Sequence, residues 1–172
     1  MTGDHGVAIY GETMATHEVQ SPEWIDGAPV TATASVDIAA PPPAVWSHVV
    51  DHASWPEWFA QLERVEALGS PSGVGGGRRV IVRKRPIDEV FTAWDDDRHF
   101  AFAVTESKLP ILKSLAESVR LEPIESGTRL TYRQGLEGRP GFGWLIRLMW
   151  KQPARQLPVA LEHLRRRVEA EV

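Results

Sequence analysis

The chain has 172 residues, 42% of them hydrophobic and 24% charged, and a formal net charge of −4. That is the size of one ordinary domain with enough apolar material for a sizeable core. No apolar run reaches the roughly 18 residues of a membrane-spanning helix, and no cysteine is present to supply disulfides, thiolate nucleophiles or a Cys-based zinc site. The first residues lack a basic region followed by an apolar one, so no secretory signal is expected and the chain is read as cytoplasmic. Charge is unevenly placed. Asp4, Glu12, Glu18, Glu23 and Asp26 all precede residue 30 with no Lys or Arg among them, and the rest of the chain is close to neutral. Nothing here makes a cationic body for nucleic acid.

Residues 1–28 read as an acidic, poorly ordered extension. Ile9–Tyr10 and Trp24–Ile25 are its two apolar points for docking on the domain, and Met14 is an alternative start. The domain spans residues 29–172. Val30 to Ile38 alternates small, β-branched and polar residues, as a strand does. Pro41-Pro42-Pro43 then opens a helix, where a missing N–H costs nothing in the first turn. Val45, Trp46, Val49 and Val50 recur at helical spacing. A break at Asp51 to Ser54 leads into a second short helix, with Pro56 in its first turn and Glu57 near the positive end of the dipole. Three tryptophans fall within thirteen residues here, at Trp46, Trp55 and Trp58.

A meander of strands follows. Gln61–Leu68 and Arg78–Arg85 flank a Gly-rich loop at Ser70 to Gly77. Pro86 interrupts, and Ile87–Trp94 is the next strand. Asp95 to Arg98 is a turn into His99–Thr105, which sets Phe100, Phe102 and Val104 on one side and Ala101 and Ala103 on the other. Lys108 to Lys113 bends at Pro110. Leu115–Leu121 is a strand with Leu115, Glu117, Val119 and Leu121 on one face. Glu125-Ser126-Gly127 turns into Thr128–Gln134, with Leu130 and Tyr132 on its apolar side. The end is helical, and Pro153 and Pro158 predict a break or bend between Trp150 and Pro158. Beyond it, Leu157, Leu161, Leu164 and Val168 form a core stripe, and Arg165-Arg166-Arg167 suits the dipole of the last turns.

This order resembles the helix-grip fold. From about Val30 to Val172 the chain is similar to the START-like, or SRPBCC (Bet v 1-like), superfamily, and within it to the polyketide cyclase/dehydrase-like group. The stretches VDIAAPPPAVWSHVVDHASWPEWF, GVGGGRRV, FTAWDDDRHFAF and LEPIESGTRLTYR carry the likeness. The usual Asp-Pro-Pro turn is here Asp95-Asp96-Asp97. The resemblance implies an α+β fold, with a curved antiparallel sheet of six or seven strands around a long C-terminal helix. It also implies an apolar cavity between them for a lipid, sterol or polyketide-like molecule. A minority of such proteins catalyse cyclisation or dehydration. The superfamily has no universal catalytic residue to carry over.

In such a fold, the residues expected to line the cavity are Phe59, Phe91, Phe100, Phe102, Val119, Tyr132, Trp144 and Leu148. Glu117 shares a strand face with Leu115 and Val119, so its carboxylate would be desolvated and its pKa raised. It is a candidate general acid/base, with Tyr132 and Gln134 completing a polar cluster on the same face. A salt bridge is its blander role.

Other motifs carry less. After Gly73 to Gly77 a phosphate loop needs Lys and Ser/Thr, and Arg78-Arg79 stand there instead, so a flexible hairpin loop is expected. His48 and His52 have the spacing of a zinc pair but no third ligand, and no metal or cofactor is expected. Arg78, Arg79, Arg83, Lys84 and Arg85 face Asp88, Glu89 and Asp95 to Asp97, which suggests ion pairs on a solvated face. An anionic partner is the alternative.

The resulting expectation is a carrier of a hydrophobic small molecule, without nucleic-acid or integral membrane contact, Pro140 to Gly143 forming a mobile lip. The alternatives are a cyclase or dehydratase using Glu117 and Tyr132, and a regulatory interaction module.

Overall fold

The computed structural model describes residues 13–172. Its centre is one antiparallel sheet in which β2 (Val30–Ile38), β8 (Gly127–Gly138), β7 (Leu112–Ile124), β6 (His99–Ser107), β5 (Arg85–Asp95), β4 (Gly77–Val82) and β3 (Leu62–Ala67) lie side by side in that order. Its two edges, β2 and β3, are consecutive in sequence. The helices α1 (Pro42–Val50) and α2 (Trp55–Trp58) join them, and so close one end of the sheet. The long helix α3 (Gly143–Ala170) lies across β2 and β8 and meets α1 and α2. This is the helix-grip arrangement.

The first strand, the two short helices and the turn between them fall where proline placement and apolar spacing put them. Trp55 Nε1 donates to Val49 O at 2.9 Å, which pins α2 back onto α1 across the break. Trp46, Trp55, Trp58 and Phe59 then pack on Phe91, Phe100, Val119 and Leu130 of the sheet and on Leu157, Leu161, Leu164 and Val168 of α3. Each such aromatic removes about 150–250 Å² from water, so this end of the molecule is the solid core.

Three expectations are corrected. The chain turns at Arg83-Lys84 rather than at Pro86, which lies inside β5 opposite Ile81. Arg83 and Lys84 both have left-handed φ, 49° and 62°. A two-residue hairpin needs that geometry at both positions, and it is usually supplied by Asn and Gly. Second, α3 runs without a break through Pro153 and Pro158. Pro158 is on the exposed side, where water can take the carbonyl that loses its partner. Third, residues 13–28 are a docked element. β6 and β7 pair only from His99/Arg120 to Ala103/Ala116. Beyond that point they part, and β1 (Ala15–Thr16) fills the gap by pairing with Ser107 and Glu106 of β6.

His17 N donates to Thr105 O, and Glu18 N to Lys113 O, at 2.8 and 2.9 Å. The His17 ring joins both strands, with Nδ1 donating to Leu112 O at 3.0 Å and Nε2 2.8 Å from Ser107 Oγ. A 3-10 turn at Pro22–Gly27 then buries Ile25 against Ala103 and Ala116 on the outer face of the sheet. Small residues there leave the groove that Ile25 occupies; Gly135 would meet it with any side chain. Ile9–Tyr10, the other docking point read from the sequence, lies outside the described residues.

Gly127 is a hairpin glycine that no side chain can replace. Its φ is +137°, and a Cβ there would sit 2.1 Å from Ile38 O. The β7–β8 turn is thus pressed against the end of β2, which fixes the register of all three strands.

Candidate functional site

Toward the Pro86 end of the sheet the aromatic core stops, and α3 stands off the strands. A cavity of about 470 Å³ opens there. Val104, Leu112, Leu115, Leu136, Ile146 and Trp150 give it an apolar wall, and Arg83, Arg85 and Lys108 lie at its rim. A recess of about 150 Å³ leads inward from it. The two share Ile87, Val104, Leu115, Trp150 and Pro153 as walls.

Strand alternation brings the polar side chains into the recess. Arg78 is opposite Glu89, Phe102 is opposite Glu117, and Glu117 is opposite Gln134. These positions fall on the inward side of five neighbouring strands, β4 to β8. Arg78 Nε donates to Glu89 Oε2 at 2.6 Å, with both side chains buried. The Arg78 guanidinium carbon lies 3.9 Å above the Trp55 ring and 4.5 Å from that of Phe102, a stacked, desolvated cation. Its Nη1 donates to His52 Nδ1 at 3.0 Å. That bond leaves the ring proton on Nε2, which is buried with no partner. Tyr132 donates its hydroxyl to Glu117 Oε2 in a short hydrogen bond. Trp150 Nε1 donates to Gln134 Oε1 at 3.2 Å, which ties α3 to the polar row.

Burial sets the protonation of this cluster. It lifts Glu117 to about 7, helped by the Glu89 charge and opposed by the bonds from Tyr132 and Gln134. Glu89 is raised by the same burial, with Arg78 pulling the other way. Burial and the Glu117 charge raise the Tyr132 phenol, so it stays a donor. Burial and Arg78 push His52 down to about 3. At neutral pH the recess therefore holds a paired arginine, backed by the neutral His52 imidazole, and a carboxyl group near its own midpoint. Such a carboxyl can both give and accept a hydrogen bond or a proton at one oxygen.

Of the residues expected to line the cavity, Phe59, Phe102, Glu117, Tyr132 and Gln134 do so. Phe91, Phe100 and Val119 face the same way but lie deeper, in the solid aromatic core. Trp144 and Leu148 do not face the cavity at all, being 68% and 54% exposed. The inward stripe of α3 is Ile146, Trp150, Pro153 and Leu157, and residues 144 and 148 fall on the opposite side.

Sequence reasoning missed Arg78 and Glu89. The basic strand was expected to lie on a solvated face, and only part of it does: Arg79, itself partly exposed on the outer side, makes a two-bond pair with the buried Asp88 at 2.6 and 2.7 Å. Adjacent Arg78-Arg79 opposite adjacent Asp88-Glu89 was the available signal, because alternation turns one of the two pairs inward. His48 and His52 do not converge. His48 lies 3.3 Å from Glu171, while His52 stacks among Trp55, Phe91 and Phe100. Among the described residues no group of three or more metal-binding side chains gathers, and no helix is long and apolar enough to cross a membrane. The glycine run of residues 73–77 ends the connection from β3 to β4, its last residue opening β4.

Residues 29–169 match the family model described as polyketide cyclase / dehydrase and lipid transport. Uncharacterized proteins of Mycobacterium tuberculosis and Mycobacterium bovis are 31% identical over 112 residues, 63% of this chain. The match spans 66% of the length of these relatives. Among solved structures, a protein of Thermus thermophilus superposes with a TM-score of 0.68 at 23% identity, over 83% of this chain and 99% of its own. A START superfamily protein from Mycobacterium smegmatis gives 0.67 at 15%, with the same coverage. The Zhui aromatase/cyclase of a Streptomyces species gives 0.62 at 19%, over 80% of this chain and 94% of its own.

Proposed function

Because the chain belongs to the polyketide cyclase/dehydrase and lipid transport family, we propose that its cavity binds one hydrophobic small molecule, a lipid or polyketide-like compound. The apolar body occupies the outer chamber, and an oxygen-bearing end reaches the inner recess. The observation that carries this reading is the polar cluster of Glu117, Tyr132 and Gln134 in the recess at the inner end of a chamber with an apolar wall. The outer chamber's volume of about 470 Å³ falls within the range of small-molecule sites, and the recess adds about 150 Å³ to it. Apolar contact contributes about 25 cal/mol per Å² removed from water, before the costs of binding. A single hydroxyl or carbonyl at the buried end then sets the ligand's direction.

The test is displacement of a fluorescent fatty-acid or polyaromatic probe, alongside mass spectrometry of solvent extracts from the purified protein. Val104→Trp fills the passage between the chambers and should weaken probe binding by about 10-fold or more, the loss of some 1.4 kcal/mol. Probe affinity unchanged in a folded Val104→Trp protein argues against the cavity as the site, and no binding across a broad panel argues against the whole reading.

A second reading, an enzyme of the cyclase or dehydratase type, is favoured by one observation: a carboxyl near its midpoint in hydrogen-bond contact with a phenol. Glu117 then passes a proton to or from an oxygen of the bound substrate, with Tyr132 orienting the carboxyl through its hydrogen bond to Oε2. In this reading Glu117→Gln abolishes turnover while leaving probe affinity within a few-fold. Equal turnover in the variant removes Glu117 from the chemistry.

A further inference from the structure

We propose that the outer face of the first half of α3, together with the β4–β5 hairpin across the cavity mouth from it, docks on the headgroup region of an anionic lipid bilayer. Phe142, Trp144, Leu148 and Met149 are 43%, 68%, 54% and 45% exposed. The other exposed large apolar residues among the described ones are Val19, Leu68, Val74, Val159 and Val172, which are scattered along the chain. An apolar cluster that includes an outward tryptophan, on a helix otherwise packed on its sheet, marks a contact surface.

The helix phase adds charge to that cluster. Trp144, Leu148, Lys151 and Arg155 are spaced four, three and four, so they form one stripe pointing away from the sheet. From Arg139 to Arg155 the chain carries Arg139, Arg147, Lys151 and Arg155 and no acidic residue, in a protein of net charge −4. Across the opening, the hairpin presents Arg83, Lys84 and Arg85, all exposed. Arg83 and Arg85 line the same mouth as Met149 and Gln152. Glu63, beside the hairpin, accepts from the Lys84 amide.

A bilayer surface satisfies both halves of this pattern. Trp144, Leu148 and Phe142 enter the interfacial layer, where an amphipathic ring is at home, while Lys151, Arg155 and the hairpin cations meet phosphate groups. A second copy fits less well. A two-fold contact sets the stripe against itself, which offers no anion to Lys151 and Arg155. Leu148 and Met149 offer nothing to a nucleic-acid backbone. Docked this way, α3 lies on the bilayer and the mouth, bounded by Met149, Gln152 and Arg83, sits at the edge of the contact.

The test is co-sedimentation of the full chain with phosphatidylcholine vesicles, with and without phosphatidylglycerol. It needs no ligand, so it can fail or succeed independently of the cavity reading. Binding is expected on the phosphatidylglycerol vesicles alone and should weaken as salt rises. Trp144→Ser/Leu148→Ser and Lys151→Glu/Arg155→Glu should each reduce it about 10-fold or more, with circular dichroism and probe affinity unchanged, because none of the four lines the cavity. Absence of wild-type binding overturns the proposal, as does equal binding by both variants. A dimer in light scattering that Trp144→Ser abolishes, without vesicle binding, reassigns the face to self-association. Binding that appears only after deletion of residues 1–12 reassigns it to the chain's own N-terminal segment. Either result also overturns the proposal.

Discussion

Replacing Arg78 by methionine should lower the unfolding free energy by about 3–5 kcal/mol, seen as a fall in the urea midpoint at unchanged slope. The size comes from what is left behind. Glu89 sits in the recess with Arg78 Nε 2.6 Å away as its ion-pair partner, and both side chains are almost wholly out of water. Without the guanidinium the Glu89 carboxylate is an unpaired buried charge, or it must take up a proton at neutral pH. The stacking of the guanidinium over Trp55 and Phe102 is lost as well, and His52 Nδ1 loses its donor. The double variant Arg78→Met/Glu89→Leu should recover most of the loss, since well-packed apolar groups often replace a buried pair at little cost. If the double variant falls by the sum of the two single effects, the two residues are not coupled and the description of the recess is wrong.

The second large effect depends on pH. Glu117 titrates near 7 in the folded chain against an ordinary value of 4.5. At acid pH it is protonated in both folded and unfolded states and contributes nothing. As pH rises through about 4.5 the unfolded chain releases the proton first, so unfolding is progressively favoured. Above about 7 the folded state has ionised too, and the whole penalty stands, on the order of 3 kcal/mol. Glutamine keeps a carbonyl oxygen to accept from Tyr132 but carries no charge. Glu117→Gln should therefore match the parent protein near pH 4 and exceed its stability by about 2–3 kcal/mol near pH 8. Urea titrations at the two pH values provide the check; an equal offset at both would mean that Glu117 is not the group responsible. A stabilising substitution at a buried polar residue would identify Glu117 as one retained at a cost to the fold.

How much of this was legible depends on which physical signal each part uses. Val30–Ile38 could be read directly because period-2 patterning and the proline run after it leave no other choice. Glu117, Tyr132 and Gln134 were legible for the same reason. Alternation fixed their face, and the register then put Glu117 directly opposite Gln134. Alternation does not fix depth along a strand, so Phe91, Phe100 and Val119 were expected in the cavity although α1 and α2 cover them with tryptophan. Nor does it reveal an inward arginine. Arg78 takes an inner position because Val80 and Val82 continue its face, and a charge there reads as solvent-facing until its partner is known. The Arg83-Lys84 turn was hidden because neither residue favours φ > 0. Trp144 and Leu148 went astray because the run from Trp144 to Trp150 is too uniformly apolar to set a helix phase.

The short N-terminal strand has a bearing on where the working unit begins. The family match starts at residue 29, so the chain that zips β6 to β7 lies wholly upstream of it. A protein trimmed to that match would leave Thr105 O, Leu112 O and Lys113 O without the partners they have in His17 and Glu18. The unzipped pair of strands borders Leu109 and Leu112 of the outer chamber. Shortening the chain there would thus put a leak in the side of the vessel rather than merely remove a tail.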